Sequence, residues 1–309
     1  MLGKVAFVFP GQGAQAVGMG HDVYENVAAS REVFDIANRV LEYSLSDLIF
    51  NGPENLLKQT ANTQPALLTT SYALYKAFEE KGIRPDFVAG HSLGEYSALV
   101  VAGVMKFEEA VAVVRKRGQF MEEAVPNGEG AMAAVLGADR VNLGALCDDI
   151  TAYTAPVEMA NVNCPGQIVI SGSTAGVQAV VERGKEIGAK RVIPLEVSGP
   201  FHSTLMKPAA ERLEAALSEL DLRDTDIQVV SNVSARPEQS AERIRELLIE
   251  QVCSPVLWED SVQYMIEQGV DTFIEIGSGT VLAGLIKKID RSVKVVSINS
   301  LEAIQAFEG

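Results

Sequence analysis

Histidine, cysteine and positive charge are all scarce in this chain of 309 residues, and each scarcity narrows what it can do. Its three cysteines, Cys147, Cys164 and Cys253, are odd in number and far apart, so they form neither a disulfide framework nor a metal-ligand spacing and are expected as buried thiols. Lysine and arginine number 26 against 41 acidic residues, and the formal net charge of −15 argues against nucleic acid and anionic membrane as partners. No apolar run approaches the roughly 18 residues of a membrane span, and no basic-then-apolar leader opens the sequence, so a cytoplasmic protein is expected. With three histidines, His21, His91 and His202, any chemistry that needs an imidazole base has three candidates.

What the chain does have is a core-forming composition. Apolar residues make up 47% and charged residues 22%, and the length allows a large domain with a smaller one beside it. The most informative stretch is Asp86 to Glu95. A short apolar run leads into Gly90-His91-Ser92-Leu93-Gly94, and a segment of Glu, Ala, Leu and Val leaves it. This is the G-x-S-x-G pattern in the strand, turn, helix context of a nucleophile elbow. The glycines remove side chains where strand and helix crowd, leaving the Ser92 hydroxyl exposed beside the free N–H groups of the helix start. A serine in a plain Gly-flanked loop is the competing interpretation.

The flanking segments alternate helix and strand in the manner of a doubly wound protein. Lys4 to Phe9 is expected as a central strand stopped by Pro10, and the loop Gly11-Gln12-Gly13 follows at its carboxyl end, where such folds build their sites. Without a following G-K-[ST] this loop only superficially resembles a phosphate loop; a Gln12 backbone N–H offered to an oxyanion is the more useful assignment. Residues 20–80 are mostly helical with a break at Asn51-Gly52-Pro53, and Thr63-Gln64-Pro65 opens a helix from Ala66 to Glu80.

Beyond Pro126 to Gly130 the pattern predicts strand 131–136, helix 139–147, strands 157–161 and 167–171, helix 174–187 and strand 190–197. That order is the split β-α-β-β-α-β of a ferredoxin-like unit. A helix over 205–220 carries the chain back, and strands follow at 227–231, 271–276 and 294–298. The predicted fold class is α/β: a hydrolase-like large domain with a parallel sheet (residues 1–126 and 200–309) and an inserted ferredoxin-like α+β small domain (residues 127–199).

Ser92 needs a base, because an unaided serine hydroxyl is a weak nucleophile. His21 lies in an early helix and is expected on the surface. His91 adjoins Ser92 in a sharp turn, where neighbouring side chains diverge, and suits a structural role. His202, in Gly199-Pro200-Phe201-His202-Ser203, is left as the base. Asp271 and Glu275 have no context that marks them as its acid partner, and a carbonyl or amide near Gln251 can orient the imidazole instead, so a Ser–His dyad is preferred. The expected oxyanion donors are the N–H of Leu93, at the helix start, and that of Gln12. Arg117 recurs with Ala110, Val114 and Met121 on the apolar face of the helix over 106–124. A guanidinium cannot shed its proton, so there it predicts either a structural carboxylate partner or a bound one. In the second case the substrate is an acyl group carrying its own acid, a description that malonyl-CoA fits.

Seven stretches together resemble the malonyl-CoA:acyl carrier protein transacylases, the acyltransferase family of fatty acid and polyketide synthesis. They are Phe9-Pro10-Gly11-Gln12-Gly13, Thr63-Gln64-Pro65-Ala66, Gly90 to Glu95, Arg115-Lys116-Arg117-Gly118, Asn163-Cys164-Pro165-Gly166-Gln167, Gly199 to Ser203 and Phe273-Ile274-Glu275-Ile276-Gly277. The resemblance implies a ping-pong transfer in which Ser92 takes malonyl from malonyl-CoA as a malonyl-serine and passes it to the phosphopantetheine thiol of acyl carrier protein. It implies His202 as base and then acid, with its other nitrogen held by the Gln251 backbone carbonyl, and Gln12 and Leu93 as oxyanion donors. It places Arg117 on the malonyl carboxylate and makes Phe201 a mark of malonyl over methylmalonyl selectivity. No bound cofactor and no metal are implied; the partners are malonyl-CoA and acyl carrier protein, and a monomer is expected.

Two positions depart from the family pattern: Ser278, where Gly-Pro-Gly is usual, and Cys253, where an aromatic is usual. An acidic carrier needs a basic landing surface, for which Lys185, Lys190, Arg191, Lys287 and Lys288 are candidates. A serine thioesterase or esterase would use the same elbow with water as acceptor, and a non-catalytic scaffold is the second rival.

Overall fold

After its first residue, the segment Lys4–Phe9 contains nothing polar, which is the mark of a strand covered on both sides. In the computed structural model, which describes residues 3–308, it is the third strand of a six-stranded sheet. Phe7 and Phe9 point into one apolar cluster, and Ala6 and Val8 into another on the opposite face. Residues 1, 2 and 309, at the ends of the expected large domain, lie outside the described residues.

In chain order the strands are β1 (Lys4–Phe9), β2 (Phe87–Gly90), β3 (Gly130–Leu136), β4 (Val157–Cys164), β5 (Gln167–Ser173), β6 (Arg191–Pro194), β7 (Gln228–Val230), β8 (Pro237–Glu238), β9 (Val270–Ile276) and β10 (Lys294–Ile298). The large sheet runs β10-β9-β1-β2-β7-β8 and is parallel except for the β7, β8 hairpin. A separate sheet, β4-β5-β3-β6, is antiparallel throughout. The molecule is thus a mixed α/β fold. Leu143, Leu146 and Ile150 of one helix and Val177 and Val180 of another close a third core against the second sheet. The segment just before the helix Trp258–Glu267 lies along β4, where Val162 N–H donates to Val256 O at 2.9 Å and Val256 N–H donates to Ala160 O at 2.8 Å. No helix among the described residues is long and apolar enough to cross a membrane.

Several boundaries differ from the sequence expectation, each for a visible reason. The helix placed at 139–147 runs over Arg140–Tyr153, because Ile150 continues the buried stripe of Leu143, Leu146 and Cys147. The strand placed at 190–197 shrinks to Arg191–Pro194; it is an edge strand, and Pro194 is tolerated there because its nitrogen faces the open edge, while Leu195 N–H still donates to Met132 O at 2.9 Å. The hairpin strand β8 was not expected.

The helix placed from Ala66 begins at Thr60 and takes Pro65 into its interior. Proline there leaves the Ala61 carbonyl without its helical donor. Arg115 Nη1 supplies one instead, at 2.7 Å, from the facing helix Phe107–Glu123. The cost of the proline is offset by a contact that ties two helices together.

Candidate active site

Ser92 stands where β2 turns into the helix Gly94–Val101, with φ at 50°, a backbone region that a residue with a Cβ rarely adopts. Close packing enforces the turn: a Cβ on Gly90 would lie 1.9 Å from the Gly94 carbonyl carbon, and one on Gly94 would lie 2.0 Å from the Phe9 oxygen. The turn is also held from outside. Asn232, just beyond β7, accepts the Ser92 N–H through Oδ1 at 2.8 Å and donates from Nδ2 to the Gly90 oxygen at 2.6 Å.

His202 meets Ser92 from the loop that returns from the second sheet. Its Nε2 lies 2.8 Å from Ser92 Oγ, and its Nδ1 lies 2.8 Å from the Gln251 carbonyl oxygen. A carbonyl can only accept, so Nδ1 carries the proton and Nε2 is free to take one from the hydroxyl. Burial, and then the positive charge of Arg117, push the imidazole pKa down to about 3. An unfolded histidine titrates near 6.5, so protonation favours the unfolded chain as pH falls from about 6.5 towards 3, and the stability tied to neutral His202 is lost over that window.

Arg117 is 1% exposed. Its Nη1 donates to Gln64 Oε1 at 2.7 Å, and its Nη2 donates to Gln251 Oε1 at 2.9 Å and reaches Ser92 Oγ at 3.3 Å. Its Nε–H finds no acceptor, and the guanidinium lies 5.5 Å from the centroid of the Tyr96 ring. Among the described residues no carboxylate lies within salt-bridge distance of it. Of the two partners that its position predicts, the direct structural one is absent.

Gln12, Ser92, Leu93, Arg117, Phe201 and His202 all line one cavity of about 260 Å³. The N–H groups of Gln12 and Leu93 donate to no acceptor among the described residues, while the Gln12 side chain is tied back to Thr60 Oγ1 at 3.1 Å. Phe201 is 6% exposed and forms part of the wall directly before His202. His91 turns away from Ser92: its Nε2 lies 2.8 Å from Asn163 Oδ1 and its ring packs near Trp258. His21 is exposed, against Phe50. Neither Ser278 nor Cys253 is part of the cavity wall.

The model of the Acyl transferase domain family matches residues 6–302. The chain belongs to the acyl transferase family. It is 56% identical over 304 residues to the malonyl CoA-acyl carrier protein transacylase of Bacillus subtilis (strain 168), covering 98% of this chain and 96% of that one. The malonyl CoA-acyl carrier protein transacylase of Coxiella burnetii superposes with a TM-score of 0.96 at 42% identity, covering 99% of this chain and 96% of the other. A malonyl-transacylase solved in complex with its type II PKS acyl-carrier protein superposes with a TM-score of 0.94 at 42% identity, over 98% of each chain. The protein is therefore an acyltransferase enzyme.

Four residues that position this acyltransferase's site were given no role by the sequence. Asn232 follows a buried strand at its carboxyl end, the place where such sheets carry functional groups, and that position was its only signal. Gln64 had no signal beyond its place in the Thr63-Gln64-Pro65-Ala66 stretch. Glu95, in the first turn after the elbow, is 2% exposed, and its Oε2 accepts from Gln251 Nε2 at 2.8 Å and from Asn232 N–H at 3.1 Å. Glu275 is fully buried, and its two oxygens accept the N–H groups of Leu282 and Ala283, each at 2.9 Å. It caps the helix Val281–Ile289, which lines the cavity, and it takes no part in orienting His202.

Proposed function

We propose that this enzyme moves a malonyl group from malonyl-CoA to the phosphopantetheine thiol of acyl carrier protein through a malonyl-serine intermediate, in two half-reactions. The observation that carries this reading is Arg117. A buried guanidinium whose N–H groups donate only to amide oxygens and the Ser92 hydroxyl is set to receive a carboxylate next to the nucleophile. The names of its relatives agree with it.

In the first half-reaction Ser92 Oγ attacks the thioester carbonyl while His202 Nε2 takes its proton. The oxyanion is received by the N–H groups of Gln12 and Leu93. The C–S bond breaks, the coenzyme sulfur leaves, and the proton on Nε2 goes to it. In the second, the carrier thiol gives its proton to Nε2 and attacks the seryl ester by the reverse path. The Gln251 carbonyl holds the imidazole as a carboxylate would in a triad, and so the dyad needs no acid. Phe201 narrows the acyl space beside His202, which suits malonyl better than its methyl-branched analogue. Of the basic candidates for carrier docking, Lys288 donates to Gln167, a residue of the cavity wall.

We further read residues 1–126 and 200–309 as a hydrolase-like domain and 127–199 as a ferredoxin-like insert. The all-antiparallel order β4-β5-β3-β6 supports the second name, and the parallel sheet around the elbow supports the first.

The test is covalent labelling with isotopic malonyl-CoA. A malonyl-Ser92 that persists without carrier protein and discharges to the carrier when it is added is the expected result. Dominant release of free malonate would instead mark a thioesterase. The same assay with acetyl-CoA, followed from pH 4 to 8, is expected to place the acid limb of kcat/KM below pH 5, because His202 stays neutral there. A limb near 6.5 would show an imidazole that titrates as if solvated.

A further inference from the structure

The hydrogen-bond network behind Arg117 holds a second buried charge that the transfer chemistry does not use. Glu95 lies two hydrogen bonds from Arg117: Gln251 Oε1 accepts from Arg117 Nη2 at 2.9 Å, and Gln251 Nε2 donates to Glu95 Oε2 at 2.8 Å. One amide thus stands between a group that can only donate and a carboxylate that only accepts when ionised, and this fixes which end faces which. The other titratable groups of the site are Tyr96 on the same helix, His91 at the elbow, His202 on the return loop and Arg117 itself on the helix Phe107–Glu123. Burial holds Tyr96 protonated, its pKa pushed up to about 12, and keeps both histidines neutral. The end of β7 and the helix Ala241–Gln251 bring only the amides Asn232 and Gln251. The resting site therefore contains one cation and, while Glu95 is ionised, one anion. A substrate that places its own carboxylate on Arg117 adds a second anion to the same hydrogen-bond network, with the guanidinium and the Gln251 amide between it and the first.

We infer that Glu95 is the resident counter-ion of Arg117 and takes up a proton from solvent when the acyl carboxylate arrives, so that loading malonyl consumes a proton that loading acetyl does not. The inference rests on the reading of Arg117 given above. Two like charges buried near one guanidinium cannot both stay ionised cheaply, and the protein's own carboxylate, already disfavoured by burial, is the one that yields. Its pKa in the resting site is raised by burial to about 7, so it is ionised and available to accept a proton at and above neutral pH. The chemistry is a single O–H bond formed on Glu95 with a buffer proton; no electrons move. The arrangement also limits how tightly Arg117 grips malonyl. An acyl group bound too firmly in the intermediate would be slow to leave for the next thiol.

The experiment is proton counting during single-turnover acylation of the full chain at pH 7.5 to 8, by calorimetry in buffers of different ionisation enthalpy. Malonyl-CoA and acetyl-CoA are compared, since protons linked to coenzyme binding and thiol release are common to both. The expected result for the wild type is a malonyl-minus-acetyl difference approaching one proton taken up per site. In Glu95→Gln the difference falls to zero, and the KM for malonyl-CoA at pH 8 drops several-fold. Equal proton counts for the two thioesters in the wild type would overturn the inference while leaving malonyl transfer intact, as would a difference that survives in Glu95→Gln. Failure of the wild type to form malonyl-Ser92 at all would instead overturn the functional reading on which it rests. The wild-type comparison decides the matter even if the variant does not fold.

Discussion

Replacing Ser92 by alanine is expected to lower acyl transfer by about a millionfold and to leave no label on the chain after incubation with malonyl-CoA, as read by intact-protein mass spectrometry. The size follows from how the site is built. Ser92 Oγ, His202 Nε2 and the Gln251 carbonyl form one chain of hydrogen bonds, and groups that act as a unit are lost as a unit. Replacing His202 by alanine is expected to cost nearly as much, and adding it to Ser92→Ala to cost little more. A label that persists in Ser92→Ala would move the nucleophile elsewhere.

Arg117→Ala carries the second large effect. Removing one member of a buried, hydrogen-bonded charge pair costs about 3 kcal/mol, which is a loss of a hundredfold or more in kcat/KM for malonyl-CoA. Acetyl-CoA has no carboxylate to lose, so the malonyl-to-acetyl preference is expected to collapse by a similar factor. Arg117→Lys is not expected to rescue it, because an ammonium cannot span Gln64, Gln251 and a carboxylate with fixed planar donors. Parallel kinetics with the two thioesters check both statements, and an unchanged preference would take Arg117 out of the clamp.

What the sequence made legible was local. The elbow is a five-residue pattern with its strand and helix attached. Arg117 showed itself by helical spacing, and His202 emerged because only three histidines had to be sorted. In the structure Ser92 Oγ lies within hydrogen-bond reach of both His202 and Arg117.

What stayed hidden depends on distant segments. Glu95 looks like any acid in the first turn of a helix; only the arrival of Asn232 and Gln251, more than a hundred residues away, turns it into a buried charge. Glu275 was closer to readable. Its partners lie seven and eight positions on, across a Gly-Ser-Gly turn that returns the chain over the strand end. The start of the helix at Thr60 was misplaced because proline ordinarily marks a first turn, and the donor that excuses it comes from Arg115 on another helix.

That borrowed hydrogen bond has a bearing on how acyl preference can change. Arg115 grips the helix Thr60–Phe78 at Ala61, and Arg117, two positions along, grips it again at Gln64, so the pair of helices is pinned in register at two points one turn apart. The Arg117 guanidinium is thereby held in place along both helices. New acyl specificities on this frame therefore have to come from reshaping the wall opposite, at Phe201 and its neighbours, with Arg117 kept where it is or removed altogether.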